Sequence, residues 1–185
     1  MEQVKKLAMP ASGLLGFFIT TLFAWTIYRD NIPQNVATWT MIMLLDVLGV
    51  ILAYKDGNKQ PYLQIGWTVA ATCVVLAIAF GDSPWQWGQT ETISLLLCGV
   101  ATVLWLMMSA RAALFAYMAA MYLSTVPLIV DYWRQPQSGT LWVWLWTIVG
   151  CALAIYGAPK RDFTYTFVPW AAIVMNGFIA LLCIL

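Results

Sequence analysis

The chain has 185 residues, of which 62% are hydrophobic and 9% charged, with a formal net charge of +1. A soluble globular domain carries about 25% charged residues, so the composition excludes an ordinary cytosolic enzyme. The near-zero net charge excludes a basic nucleic-acid binder. The apolar residues are gathered into long runs, which marks an integral membrane protein.

A membrane-spanning helix needs about 20 mostly apolar residues. Seven such segments follow one another, at roughly 10–28, 37–54, 62–80, 92–110, 112–130, 140–157 and 167–185. The first follows Lys5-Lys6 and resembles the start of a signal peptide, but it runs to Tyr28 without a small-x-small cleavage site, so a retained helix is expected. Arg29-Asp30-Asn31 and Pro33-Gln34 separate it from the second span, which carries Asp46 near its middle. Lys55-Asp56-Gly57-Asn58-Lys59 leads to the third span, and Gly81-Asp82-Ser83-Pro84 to the fourth. Arg111 divides the fourth from the fifth, Arg134-Gln135-Pro136-Gln137 the fifth from the sixth, and Lys160-Arg161-Asp162 the sixth from the seventh.

Basic residues orient the chain, because cytoplasmic loops are enriched in Lys and Arg. Lys5, Lys6, Lys55, Lys59, Arg111, Lys160 and Arg161 fall on one side, and only Arg29 and Arg134 on the other. The expectation is a cytoplasmic N-terminus and an external C-terminus in a bacterial-type cytoplasmic membrane. The third loop, with Asp82 and Glu91, is then external. Trp25, Trp39, Trp85, Trp87, Trp133 and Trp142 stand near span ends, where an interfacial aromatic belt is the simplest reading.

A shift of 103 residues superposes Pro33-Gln34 on Pro136-Gln137, Trp39 on Trp142, Tyr62 on Tyr165 and Trp67 on Trp170. A shift of 104 superposes Thr20-Thr21 on Ser124-Thr125. The ordered matches point to a duplication. The first repeat occupies residues 1–80 and the second 111–185, with 81–110 as the helix between them. A single connecting helix lets both three-helix units run in the same direction. The expected fold class is therefore all-α: a polytopic membrane protein of seven helices, two parallel three-helix repeats joined by a linker helix.

This 3+1+3 layout resembles the SWEET and PQ-loop superfamily of small-solute transporters. Ser124-Thr125-Val126-Pro127-Leu128 with Ser138-Gly139-Thr140, and Ala154-Ile155-Tyr156-Gly157 followed by Asp162 and Pro169, resemble that family's second-half motifs. The resemblance implies a solute path between the halves, with a proline-kinked first helix in each. Here Pro127 stands at the kink of the second half, and the first half has no proline there. Trp170 follows Pro169 where the family has asparagine, and Leu153 stands where it has an aromatic residue, so its sugar contacts are not preserved. The N-terminus-in orientation resembles the PnuC vitamin-uptake proteins of the same layout.

Few residues are available for chemistry. Asp46 is the only charged residue deep in a span; a carboxylate there must pair, face water or take up a proton, for coupling and binding or for packing. Thr20, Thr21, Ser124 and Thr125 lie at mid-depth, where their hydroxyls either bond a polar solute or satisfy their own helices. Pro127 beside them is a candidate hinge. Trp67 and Trp170 are candidate aromatic walls for a ring-bearing solute, or belt residues. Asn176 is an uncharged donor and acceptor at mid-depth, for substrate or for helix cross-linking. Gly13-Leu14-Leu15-Gly16 suits close helix packing.

The sequence holds no histidine, no CxxC among its four cysteines, and no phosphate loop or hydrolase motif. No metal, cofactor or enzymatic activity is expected. The expected function is transport or facilitated passage of a small polar solute of sugar-, nucleoside- or vitamin-like character, with Asp46 as the candidate proton-coupling group. The alternative is a non-transporting membrane scaffold or sensor subunit. A transporter requires a central cavity reached by these polar residues, whereas a scaffold packs them dry. The expected partners are the lipid bilayer and the solute, with no nucleic acid; association into a homo-oligomer is left open.

Overall fold

The structure, a computed structural model, describes residues 2–30, 32, 34–81, 87–107, 109–134, 136 and 138–185. Asn31, Pro33, Asp82, Ser83, Pro84, Trp85, Gln135 and Gln137, and the side chain of Cys98, lie outside the described residues. All regular structure among the described residues is helical: α1 (Glu2–Asp30), α2 (Val36–Lys55), α3 (Tyr62–Ala79), α4 (Gln89–Met107), α5 (Ala110–Ser124), α6 (Val126–Arg134), α7 (Leu141–Gly157) and α8 (Phe163–Leu182), with a 3₁₀ turn at Ser138–Thr140. Six segments are long and apolar enough to cross a membrane, with α5 and α6 forming one of them, Arg111–Arg134. α4 contains a shorter apolar stretch, Glu91–Leu104.

Local chemistry sets the helix ends. Asn35 caps α2, its side chain accepting from the Ala37 N–H, and Ser109 caps α5 by accepting from Ala112. Gly57, at φ +108°, takes the left-handed conformation that turns the chain out of α2. The expected span at 112–130 is not one straight helix. It breaks at Thr125, two residues before Pro127, because proline has no N–H to continue the ladder and disfavours helix just before it. The fourth helix also starts earlier than expected, at Gln89, because Glu91 folds into its first turn instead of lying in the loop.

α1 packs along α3 and α7, α2 lies between α3 and α5, α4 rests on α5 and touches α2, and α8 packs on α7 with lighter contact to α5 and α6. Glycines allow the closest approaches. A methyl group on Gly66 would overlap the Gly13 carbonyl, and one on Gly157 would come within 2.6 Å of the Met9 nitrogen. Small residues let apolar helices approach where no hydrophobic effect drives them together.

The connections gather at two ends. At one, the buried Asp56 carboxylate sits 3.4 Å from the Arg111 Nε, Arg111 donates to Thr164, and Tyr165 donates to the Gly57 carbonyl. These contacts bring the α2–α3 turn and the starts of α5 and α8 to the same end. At the other end, Glu91 is buried and joins α4 to α2, accepting from Asn35 Nδ2 at 3.1 Å, the Thr38 hydroxyl at 2.8 Å and the Gly88 N–H at 2.9 Å. Glu91→Ala leaves the buried Thr38 hydroxyl, and the less buried Asn35 amide and Gly88 N–H, without this acceptor and is expected to lower stability by about 2 kcal/mol. Glu91→Gln keeps an acceptor oxygen and is expected to lose less, both read by thermal unfolding in detergent.

Candidate solute cavity

A cavity of about 100 Å³ opens among α1, α2, α3, α5, α6, α7 and α8, and among the described residues none that lines it comes from α4. One ordered water needs roughly 10–15 Å³ by a comparable measure, so the space suits a cluster of waters or a solute of modest size. Thr20 and Phe23 reach it from α1, Trp39, Ile42 and Asp46 from α2, and Trp67 and Ala71 from α3. α5 and α6 bring Tyr117, Met121, Thr125 and Leu128; α7 brings Trp144 and Thr147; α8 brings Met175 and Asn176.

Asp46 is 5% exposed, and among the described residues no hydrogen bond or ion pair reaches its carboxylate. It faces the cavity because positions 39, 42 and 46, spaced i, i+3 and i+7, share one side of α2. One turn further along that helix, the Tyr117 ring lies over Gly49, where an added methyl group would meet it at 2.6 Å. Among the described residues, no Lys or Arg lines the cavity.

Three of the other polar groups spend a donor on their own helices, whereas the buried Trp144 indole N–H has no partner among the described residues. The Asn176 Nδ2 donates to the Ala172 carbonyl at 2.7 Å, which leaves its second N–H as a donor and the amide oxygen as an acceptor. The Thr125 hydroxyl donates to the Tyr122 carbonyl at 2.8 Å and lies 3.5 Å from the Met175 sulfur. The Thr147 hydroxyl donates to the Val143 carbonyl at 2.8 Å. Such back-bonding leaves hydroxyl lone pairs, not protons, to face a ligand.

The structure thus brings Thr20, Asp46, Trp67, Thr125 and Asn176 to one cavity, with Pro127 in α6 beside it. Thr21 and Ser124 do not line it. Neighbours on a helix are rotated by about 100°, so each adjacent pair can send only one hydroxyl inward. Ser124 donates instead to the Met121 carbonyl, and the Thr21 hydroxyl is buried without a partner among the described residues. Trp67 lines the cavity, but Trp170 is 56% exposed on the outer surface, so the two do not form facing walls. No family model, curated protein or solved structure matches the chain.

Other aromatic residues supply the walls. Trp39, expected in an interfacial belt, is instead buried, and its indole N–H donates to Gln34 at 3.0 Å. The Phe23 ring stands 5.8 Å from Trp39 and 6.1 Å from Trp144, and Trp144 meets Tyr132 edge-on at 5.9 Å. Trp144, Tyr117 and Thr147 were not singled out by sequence. The helical spacing that joins Trp39 to Asp46 was a usable signal, while nothing in a uniformly apolar α7 distinguished Trp144 from its exposed neighbour Trp146. Among the described residues lining the cavity, Asp46 and Tyr117 are the ionisable ones. A buried carboxylate among aromatic rings and amide and hydroxyl oxygens can bind a ligand and compensate a positive charge.

Proposed function

We propose that this chain is a seven-helix transporter or facilitator of a small polar solute, with Asp46 as its proton-coupling carboxylate. The observation that carries this reading is the cavity, which draws Asp46, Asn176, Thr20 and Thr125 from four helices remote in sequence. A docking scaffold has no use for an unpaired carboxylate facing an internal space, which is costly in a membrane interior.

Helix pairing supports the duplicated layout. In the first half, α3 contacts both α1 and α2; in the second, α8 contacts the α5–α6 segment and α7. Between the halves, α1 meets α7 and α2 meets α5. A pseudo-two-fold axis along the membrane normal exchanges these two contacts, as parallel repeats require. α4, resting on α5, is then the linker helix and the seventh span. This arrangement resembles the SWEET and PQ-loop layout. The end that holds the α2–α3, α4–α5 and α7–α8 connections also gathers most basic residues, which supports a cytoplasmic N-terminus.

Transport proceeds by rocking α1–α3 against α5–α8 around the cavity. Pro127 is the hinge: replacing it with alanine restores a hydrogen bond to α5–α6 and stiffens it. Pro127→Ala is expected to slow uptake several-fold while leaving solute affinity within about twofold. The experiment for the reading as a whole is uptake of small polar solutes into proteoliposomes, with and without a pH gradient. Failure of every solute to move would leave the scaffold reading.

A further inference from the structure

The solute class follows from the chemistry of the cavity, on the footing that the chain is a transporter. We propose that the cavity binds a small organic cation, a methylated or primary ammonium group, held between the Asp46 carboxylate and the surrounding aromatic rings.

Three observations converge. Asp46 is almost fully buried, lines the cavity, and meets no cationic side chain among the described residues. All nine Lys and Arg residues stand near helix ends in the sequence, and Arg111 is engaged with Asp56. A positive charge at Asp46 must therefore arrive from outside, as a proton or on a ligand.

The walls favour a ligand with carbon around its charge. Trp39, Trp67, Trp144, Phe23 and Tyr117 present ring surface, whose negative face attracts ammonium groups. Met121 and Met175 add polarizable sulfur. A metal cation needs a shell of several oxygens, and this wall is mostly ring and thioether. The Thr125, Thr147 and Asn176 bonds to their own helices leave oxygen lone pairs for a ligand.

Those acceptors make the third observation. The Asp46 oxygens, the Asn176 amide oxygen and the two threonine hydroxyl oxygens offer acceptors to a ligand that brings N–H donors or positively polarised methyl groups. Proton and organic cation then compete for the same carboxylate, which couples their movements by exchange.

The test compares choline with its neutral isostere 3,3-dimethyl-1-butanol on the purified full chain in detergent, read by tryptophan fluorescence and titration calorimetry. Choline is expected to bind saturably, the isostere at least about tenfold more weakly. Asp46→Asn should weaken choline binding at least about tenfold, a loss of about 1.4 kcal/mol or more, and Asp46→Glu should weaken it less. Equal binding of choline and its isostere by the wild-type chain overturns the proposal, as does the absence of saturable binding by choline and tetramethylammonium. This comparison does not depend on any variant folding. If neutral solutes enter proteoliposomes while no cation binds, the cation inference falls and the transporter reading stands. If cations bind at Asp46 and nothing crosses the bilayer, the reverse holds.

Discussion

Asp46→Asn is expected to reduce pH-gradient-driven accumulation of solute in proteoliposomes at least about tenfold, without lowering the unfolding temperature of the purified protein. The reason for the first effect is that Asp46 is the one carboxylate lining the cavity among the described residues, and asparagine can neither carry nor release a proton. The reason for the second is that the side chain gains no hydrogen bond or salt bridge from the described residues in its present site. An amide of nearly the same shape loses no partner and avoids burying a charge. Stability is therefore expected to hold or rise. The combination separates a coupling role from a packing role: a packing carboxylate that hydrogen-bonds a neighbouring helix would show the opposite pattern, with stability falling and accumulation following it down. Uptake against the gradient and differential scanning measurements on the same preparation check both halves.

Gly66→Ala is expected to destabilise the protein by about 1–3 kcal/mol, the usual range for forcing extra atoms into a packed interior. The added methyl group would overlap the Gly13 backbone carbonyl, which sits on the facing helix and cannot rotate away as a side chain can. α1 and α3 must then separate along the most extensive interface in the bundle, and Trp67, one residue on, moves with α3 away from the cavity. Gly177→Ala is the control. Nothing lies within 4 Å of a methyl group there, and a helix-interior alanine is favoured over glycine by about 0.5–1 kcal/mol. Thermal unfolding of the two variants in one detergent should therefore shift in opposite directions. Similar shifts for both would mean that α1 and α3 are not in backbone contact.

The all-α class and most span boundaries were legible because apolar runs and polar breaks are coarse signals that survive without tertiary information. Asp46 was legible for a related reason, since a carboxylate stands out against an apolar helix. The inward face of each helix was harder to read. In a soluble helix the polar stripe marks the outside, but here the outside is lipid, as apolar as the packed interior. Trp67 and Trp170 therefore looked alike in sequence. Their surroundings differ: Gly16 gives the Trp67 ring a seat on α1, 3.0 Å from an added methyl position, whereas the shift of 104 that pairs Thr20-Thr21 with Ser124-Thr125 places Ala120 at the matching position of α5.

That shift places Tyr117 opposite Gly13, and the shift of 103 that pairs Trp67 with Trp170 places Pro169 opposite Gly66. Two residues with side chains replace the pair that lets α1 and α3 touch, and the α5–α8 contact is correspondingly light. The cavity is bounded on that side by Met121, Thr125 and Met175. Glu91 shows the other limit of the sequence. A polar residue just before an apolar run reads as loop, and only the distant pair Asn35 and Thr38 turns it into a clasp between α4 and α2.

The central claim is that the cavity is a route, reached from each side of the membrane in turn. The most direct measurement is the labelling of Thr125→Cys, in a background with Cys73, Cys98, Cys151 and Cys183 replaced by alanine, by a membrane-impermeant methanethiosulfonate. The reagent is added from one face of the membrane or the other, with and without a pH gradient. The account predicts labelling from both faces, with the balance between them shifted by the gradient. A Thr125→Cys thiol reached from neither face, or from one face alone under every condition, would contradict it.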